Sequence, residues 1–261
     1  MRERRRAITA AAAIAAAALA IRPASAQPPV WSARSGSERI QVVELYTSQG
    51  CSSCPPAEAW LSRMLERDDL WRERIPINFH VDYWDGLGWP DRYASRGQTQ
   101  RQYAYVRELG LRSAATPAFI VDGKEWRGYF RRERLPEPAE SAPGRLGVDL
   151  RDGSVQVRFT PSARGDSALE AHVAILGVGV TDAISRGENR GRTLRQDFVV
   201  LGHASQRIES EADVYRADVD LPSVVSAKPE RWAIVVWMAR TDKLEPLQAT
   251  GGWVPAALVR N

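Results

Sequence analysis

The 261-residue chain has two cysteines, Cys51 and Cys54, and no third. They can pair only with each other, with another molecule or with a metal. A disulfide across two intervening residues closes so small a loop that its entropic stabilisation lies at the low end. The pair therefore reads as reactive rather than as a staple. A membrane-spanning run is lacking as well: the uncharged apolar stretch at residues 8–21 falls short of the roughly 20 apolar residues a transmembrane helix needs. Internal repeats are absent, as are low-complexity tracts beyond the N-terminus. Excess charge of one sign is missing once the first 26 residues are set aside. Of the 36 Lys and Arg and the 32 Asp and Glu, five arginines (2, 4, 5, 6 and 22) and Glu3 fall in that segment, which leaves 31 of each sign. Electrostatics thus supplies no case for nucleic-acid binding.

What the first 26 residues do contain is ordered. An arginine cluster at residues 1–6 precedes the apolar run, and Ala24-Ser25-Ala26 closes it with a small-x-small triplet. That is the layout of a cleaved secretory signal. Arg5-Arg6-Ala7-Ile8 further resembles a twin-arginine signal. The chain is expected in the periplasm or outside the cell, with no stable membrane insertion after cleavage. The competing reading is an N-terminal anchor that stays in the membrane.

Downstream, residues 27–38 read as a flexible, polar leader. Residues 39–47 are rich in β-branched side chains and predict a buried strand. Ser48-Gln49-Gly50 breaks it, the cysteines follow, and Pro55-Pro56 suits a helix's first turn. Helical spacing of Ala57, Trp60, Leu61, Met64 and Leu65 predicts a helix over 57–66. A strand at 75–83, a loop at 84–91, a helix at 96–109 and a strand at 118–121 come next. Asp122-Gly123 is a hairpin turn leading into 125–129. Prolines 136, 138 and 143 mark a linker at 131–144. Beyond it, candidate strands at 146–150, 154–159, 169–178, 193–201, 214–221, 233–239 and 252–254 suggest a sandwich. Turns such as Asp152-Gly153 and residues 164–166 separate them.

A strand running into Cys-x-x-Cys at a helix start has a chemical purpose. The helix's unpaired N–H groups and positive dipole end favour the thiolate, which is the reactive form of cysteine. Cys51, earlier in the motif and expected nearer solvent, is the candidate nucleophile, and Cys54 the resolving thiol. Neither Ser52 nor Ser53 carries charge, so modest activation is expected. Thr116-Pro117 precedes the 118–121 strand where thioredoxin-like proteins hold a cis-proline opposite the cysteines; an ordinary trans proline opening an edge strand is the bland alternative.

These segments together resemble a known family. Residues 42–57, with Thr47-Ser48-Gln49-Gly50-Cys51-Ser52-Ser53-Cys54-Pro55-Pro56-Ala57 at their centre, look like the signature of secreted bacterial proteins of unassigned function that resemble thioredoxins. Residues 80–85 with Leu87-Gly88-Trp89, and residues 187–194, resemble that family's second and third blocks. The resemblance implies an α/β thioredoxin-like domain (39–130), a central mixed sheet with flanking helices, followed by a β-rich, sandwich-like domain (145–261). It implies no substrate. Ala118-Phe119 after Pro117 departs from the more polar residue expected there.

Other residues carry two readings each. His80 is a metal ligand or proton acceptor, or else a hydrogen-bonded core histidine. Asp82 and Asp85 supply a buried proton acceptor for Cys54, or cap the 84–91 loop. Trp84 and Trp89 pack, or line a peptide groove. Glu44, charged within an apolar strand, pairs with an arginine or faces the active site. The charged stretch 188–192 is a solvated turn, or folds back to form an interface. The leading function is an oxidoreductase of protein thiols, using Cys51, Cys54, Thr116 and Pro117, with protein thiols or a redox protein as partner and no cofactor. One rival is a copper or zinc handling protein built on Cys51, Cys54 and His80. Another is a non-catalytic binding protein with an inert disulfide.

Overall fold

The computed structural model describes residues 30–163, 168–208, 210–211 and 213–259. The expected signal segment, the first residues of the leader and the turn at 164–166 lie outside these.

Side-chain alternation decides most of the architecture. In chain order come β1 (Trp31–Arg34), β2 (Gln41–Thr47), helix α1 (Pro55–Ser62) continued by a 3-10 turn at Arg63–Glu66, and β3 (Arg74–His80). Helix α2 (Arg96–Glu108), β4 (Ala118–Val121), β5 (Lys124–Glu125) and the single helical turn α3 (Gly128–Arg131) follow. Then come β6 (Gly144–Arg151), β7 (Ser154–Pro161), β8 (Leu169–Val178), β9 (Val180–Ala183), β10 (Thr193–Gln196), β11 (Val199–Ile208), β12 (Ser210–Glu211), β13 (Val214–Asp220), β14 (Arg231–Arg240), β15 (Pro246–Val254) and a 3-10 turn at Ala256–Leu258. The molecule is β-rich, with mixed sheets and few helices.

Strands β6 and β7 bury every second residue, as a sheet with one wet face does, whereas β2 and β3 are buried throughout. The first two belong to a five-stranded sheet in the order β1-β6-β7-β13-β12. The others lie inside an eight-stranded sheet in the order β15-β14-β8-β11-β3-β2-β4-β5. Period-two alternation lets the central strands serve two cores. On β8, Ala174, Leu176 and Val178 join the cluster of β2, β3 and α1, while Ala171, Val173 and Ile175 face the five-stranded sheet.

The eight-stranded sheet runs through both regions expected to be separate. Strands β2 and β3 pair in parallel, and β3 meets β11 in parallel at Val199 and Asn78. The Asn78 N–H also bonds the Phe198 carbonyl at 2.9 Å. Residues 132–143, between the two regions, hold neither helix nor strand. The expected flexible leader needs correction: Trp31–Arg34 pairs antiparallel with β6 from Leu150 to Gly147. Its alternation of half-buried and exposed residues, and the Trp31 Nε1–H bond to the Trp253 carbonyl, tie it down.

Other differences have local causes. The strand expected at 193–201 is two strands in different sheets, broken at Phe198, whose φ is +58°. The strand expected at 125–129 stops at Glu125 and gives way to α3. Strand β15 begins at Pro246 rather than near 252. Asp122 and Gly123 turn the β4–β5 hairpin with φ of +48° and +78°, the left-handed pair that a two-residue loop demands.

Candidate functional site

The cysteine turn sits at the end of β2, where Thr47 leaves the sheet. The Ser48 carbonyl accepts from the Cys51 N–H, and the Cys51 carbonyl from the Cys54 N–H. Cys54 is the N-cap of α1, and its carbonyl receives the N–H groups of Ala57 and Glu58 at 2.9 and 3.1 Å. Cys51 and Cys54 form a disulfide, with their Cα atoms 5.5 Å apart. Cys51 Sγ lies 3.3 Å from Ser53 Oγ and 3.8 Å from the Thr116 carbonyl oxygen. The Thr116–Pro117 peptide bond is cis.

Trp84 closes the side of this turn. A Cβ at Gly50 would stand 3.1 Å from the Trp84 Cβ, so a larger residue there would press on Trp84. The Trp84 indole N–H donates to Thr116 Oγ1 at 2.8 Å, which ties the cysteine turn to the proline segment. Beside Pro117 runs an open groove of about 440 Å³, lined among others by Ala118, Trp126, Arg127 and Phe130.

A buried polar network joins the cysteine turn at the Gln49 N–H. His80 Nδ1 and Asp91 Oδ2 are 2.7 Å apart, both side chains fully buried. Asp91 also accepts the N–H groups of Gln49 and Tyr93. Burial alone would push the His80 imidazole down, but the adjacent Asp91 carboxylate outweighs it and raises its pKa. Asp91 is correspondingly held below the usual carboxylate range, against its own desolvation. The His80 Nε2 is buried without a hydrogen-bond partner. Glu58, one turn after Cys54 on α1, accepts from Thr47 Oγ1 at 2.6 Å and Gln196 Nε2 at 2.8 Å. Burial raises its pKa, opposed by the charge of His80.

Against the backbone of the cysteine turn lies the loop between β9 and β10. Asn189, fully buried, donates its amide to the carbonyls of Gln49 and Cys51, each at 2.9 Å. The Glu188 carboxylate accepts the Ser52 N–H at 2.9 Å. Gln49 donates to Asp182 of β9 and Gln196 of β10. The stretch 188–192 thus folds back as an interface. It also corrects the placement of Cys51 near solvent: Cys51 and Cys54 are both 0% exposed, while Ser52 and Ser53 face out.

The remaining candidates divide. His80 is turned to Asp91, and both sulfurs are committed to the disulfide, so the set Cys51, Cys54 and His80 is not assembled as a metal site. Among the described residues no group of three His, Cys, Asp or Glu side chains is placed to hold a metal ion. Asp82 accepts from Thr99 Oγ1, and Asp85 accepts the Asp91 N–H, so both pin the loop after β3. Trp89 donates to Gln49 Oε1 at 3.0 Å. Glu44 lies away from the site chemistry in a pair with Arg101. The sequence marked none of Glu58, Asp91 and Gln196 as a site residue, and it marked Asn189 only within the stretch 188–192 that turns in solvent or folds back. Of the first three, Glu58 alone left a signal, as an acidic residue four positions after Cys54 and hence on its helix face.

Fold and site together define a β-rich protein of mixed sheets carrying a covered Cys-x-x-Cys disulfide at a helix start. The chain belongs to the family described as "Protein of unknown function (DUF1223)", which matches residues 42–238. No match was found among curated proteins. A crystal structure of a protein from Agrobacterium tumefaciens is similar at 25% identity and a TM-score of 0.51, over 83% of this chain and 95% of that one. HBP35 of Porphyromonas gingivalis is similar in fold alone, at 13% identity and a TM-score of 0.55, over 84% of this chain and 76% of that one.

Proposed function

We propose that the chain is an exported thiol–disulfide oxidoreductase, built around a thioredoxin-like unit, that exchanges the Cys51–Cys54 disulfide with thiols of other proteins. The observation that carries this reading is the disulfide at the start of α1 with the Thr116 carbonyl 3.8 Å from Cys51 Sγ. The parallel pair β2–β3, the antiparallel β4 and β5, and helices α1 and α2 around the cysteine turn support the thioredoxin-like part. The sequence of arginine cluster, apolar run and small-residue triplet in the first 26 residues supports export to the periplasm or beyond.

The exchange balances as follows. A substrate thiolate attacks Cys51 Sγ, and the electron pair of the broken S–S bond passes to Cys54 as a thiolate. A second substrate thiolate then attacks the substrate sulfur of the mixed disulfide and releases Cys51 as a thiolate. The substrate dithiol is oxidised to a disulfide and the Cys51–Cys54 pair reduced to two thiols, which take up the two substrate protons. Glu58, buried on the Cys54 face of α1 with its pKa raised, is suited to pass a proton to or from Cys54.

A second reading, an inert disulfide in a binding protein, is favoured by the burial of both cysteines. One experiment separates the two. Cys54→Ser, mixed with scrambled ribonuclease A, is expected to accumulate a mixed disulfide through Cys51, while Cys51→Ser forms none. The wild-type protein is expected to change the substrate's disulfide pattern. An absence of both adduct and rearrangement leaves the inert reading standing.

A further inference from the structure

The loop between β9 and β10 is fastened to the backbone of the cysteine turn at Gln49, Cys51 and Ser52, and both cysteines beside it are fully buried. We infer that residues 185–191 form a gate that must swing off the Cys51–Cys54 pair before any thiol can reach it. This concerns regulation of the site just proposed and rests on that reading for its purpose, though not for its geometry.

The neck of the loop is fixed. Ile184 and Arg192 extend the β9–β10 pairing, with Ile184 N–H to the Arg192 carbonyl at 2.9 Å and Gly191 N–H to the Ile184 carbonyl at 2.8 Å. The tip is different. Gly187 and Gly191 hold φ of +74° and +81° on either side of residues 188–190, and a Cβ at Gly191 would meet nothing. Arg186, Glu188 and Arg190 face solvent. What fastens the tip is Asn189. Its Oδ1 accepts from Arg192 at 2.8 Å, which aims its amide group at the Gln49 and Cys51 carbonyls. Glu188 adds the bond to the Ser52 N–H, and a Gly187 Cβ would stand 3.1 Å from the Trp89 Cβ. These hydrogen bonds land on the cysteine turn or on the loop's own base, and Gly187 packs against residues 87–89. Displacing the tip frees backbone groups that water can satisfy, so opening needs no unfolding of either core.

Reduction of the oxidised full-length protein by dithiothreitol tests this without a physiological substrate. Samples are quenched with iodoacetamide at intervals and alkylated cysteines counted by mass spectrometry, with the denatured protein as the uncovered reference. The native wild type is expected to react far more slowly than the reference. Asn189→Ala removes both side-chain bonds that fasten the tip to the Gln49 and Cys51 carbonyls, a loss felt only in the closed state, and should react about tenfold faster than wild type or more. Glu188→Gln weakens one exposed, charge-assisted contact and should react faster by a smaller factor. If Asn189→Ala does not fold, Glu188→Gln decides by itself. Rates for the folded variants within about twofold of wild type, or a native rate equal to the denatured one, overturn the gate. Failure of the mixed-disulfide experiment leaves these rates meaningful, and failure here leaves the oxidoreductase reading intact.

Discussion

Glu44 shows how one side chain's role is settled by what surrounds it. Placed in the middle of a fully buried strand, its carboxylate takes two hydrogen bonds from Arg101, at 2.8 and 3.0 Å, and one each from Tyr46 and Tyr105 at 2.7 Å. The Arg101 guanidinium in turn lies over the rings of Phe79, Tyr105 and Trp237. Removing one partner of such a buried pair strands the other charge, which costs about 3–5 kcal/mol. Glu44→Gln is therefore expected to lower the urea-unfolding free energy by about that amount while leaving the dithiothreitol rate of the folded protein unchanged. A stability loss under about 1 kcal/mol would refute the structural role. The sequence carried half of this: a charge in a buried strand requires an arginine or a site, but nothing in the spacing of residues 44 and 101 says that they meet. Gln196 was illegible for the same reason, and Asn189 was legible only as part of the stretch 188–192 that could fold back. They reach the cysteine turn from about 140 positions away, and neither residue type in a turn or strand signals a function at that distance.

Elements were more legible than contacts. Continuous apolar runs announced β2, β8 and β14, and the helical spacing of residues 57–66 announced α1, because each pattern answers to burial along one element. Short strands such as β1 and β9 have too few residues to show a period, and their pairing is decided by the partner strand. The Asp122-Gly123 turn was legible because its chemistry is local. There a substitution has two independent consequences. Gly123 has φ of +78°, and an added Cβ would fall 2.7 Å from the Glu245 Cα. Gly123→Ala is thus both strained at φ > 0 and crowded against the β14–β15 connection, and should destabilise by about 1–3 kcal/mol. Gly153, at φ +81° with open space around it, serves as the control: Gly153→Ala carries the strain without the clash. Equal losses for the two variants would show that the Glu245 contact is irrelevant.

At the scale of the whole molecule, one sheet joins what composition divides. The shift to Pro-rich sequence near residue 131 is real as chain chemistry, yet β11 lies against β3 and the core of α1 includes Val200, Val235 and Trp237. A protease cut within residues 132–143 should consequently give two fragments on a denaturing gel that elute together under native conditions. Separate native elution would mean that the β3–β11 seam does not hold the regions.

Two histidines lie beside the same seam. His172 and His203 stack on Trp237 with ring centroids 4.8 and 5.3 Å away, and His172 Nδ1 lies 3.3 Å from His203 Nε2. Burial disfavours a proton on either ring, and the Arg101 charge beyond Trp237 adds to it, so His203 is pushed down to about 3 and His172 well below its ordinary value. In the unfolded chain both titrate near 6.5. Between about 6.5 and about 3 these two side chains therefore bind more protons in the unfolded chain than in the folded one, and the stability they contribute falls as pH falls through that window. His80 and Glu58, whose pKa values are raised, act in the opposite sense, but they remain in any variant at position 203. His203→Phe keeps an aromatic ring on Trp237 and removes one of the two groups. From about pH 7 to about pH 5 its urea-unfolding free energy should drop less than that of wild type, by about 2 kcal/mol. Parallel pH profiles for the two proteins would mean that His203 takes up its proton in the folded state as readily as in the unfolded one, and that the stacked column is not where acid acts.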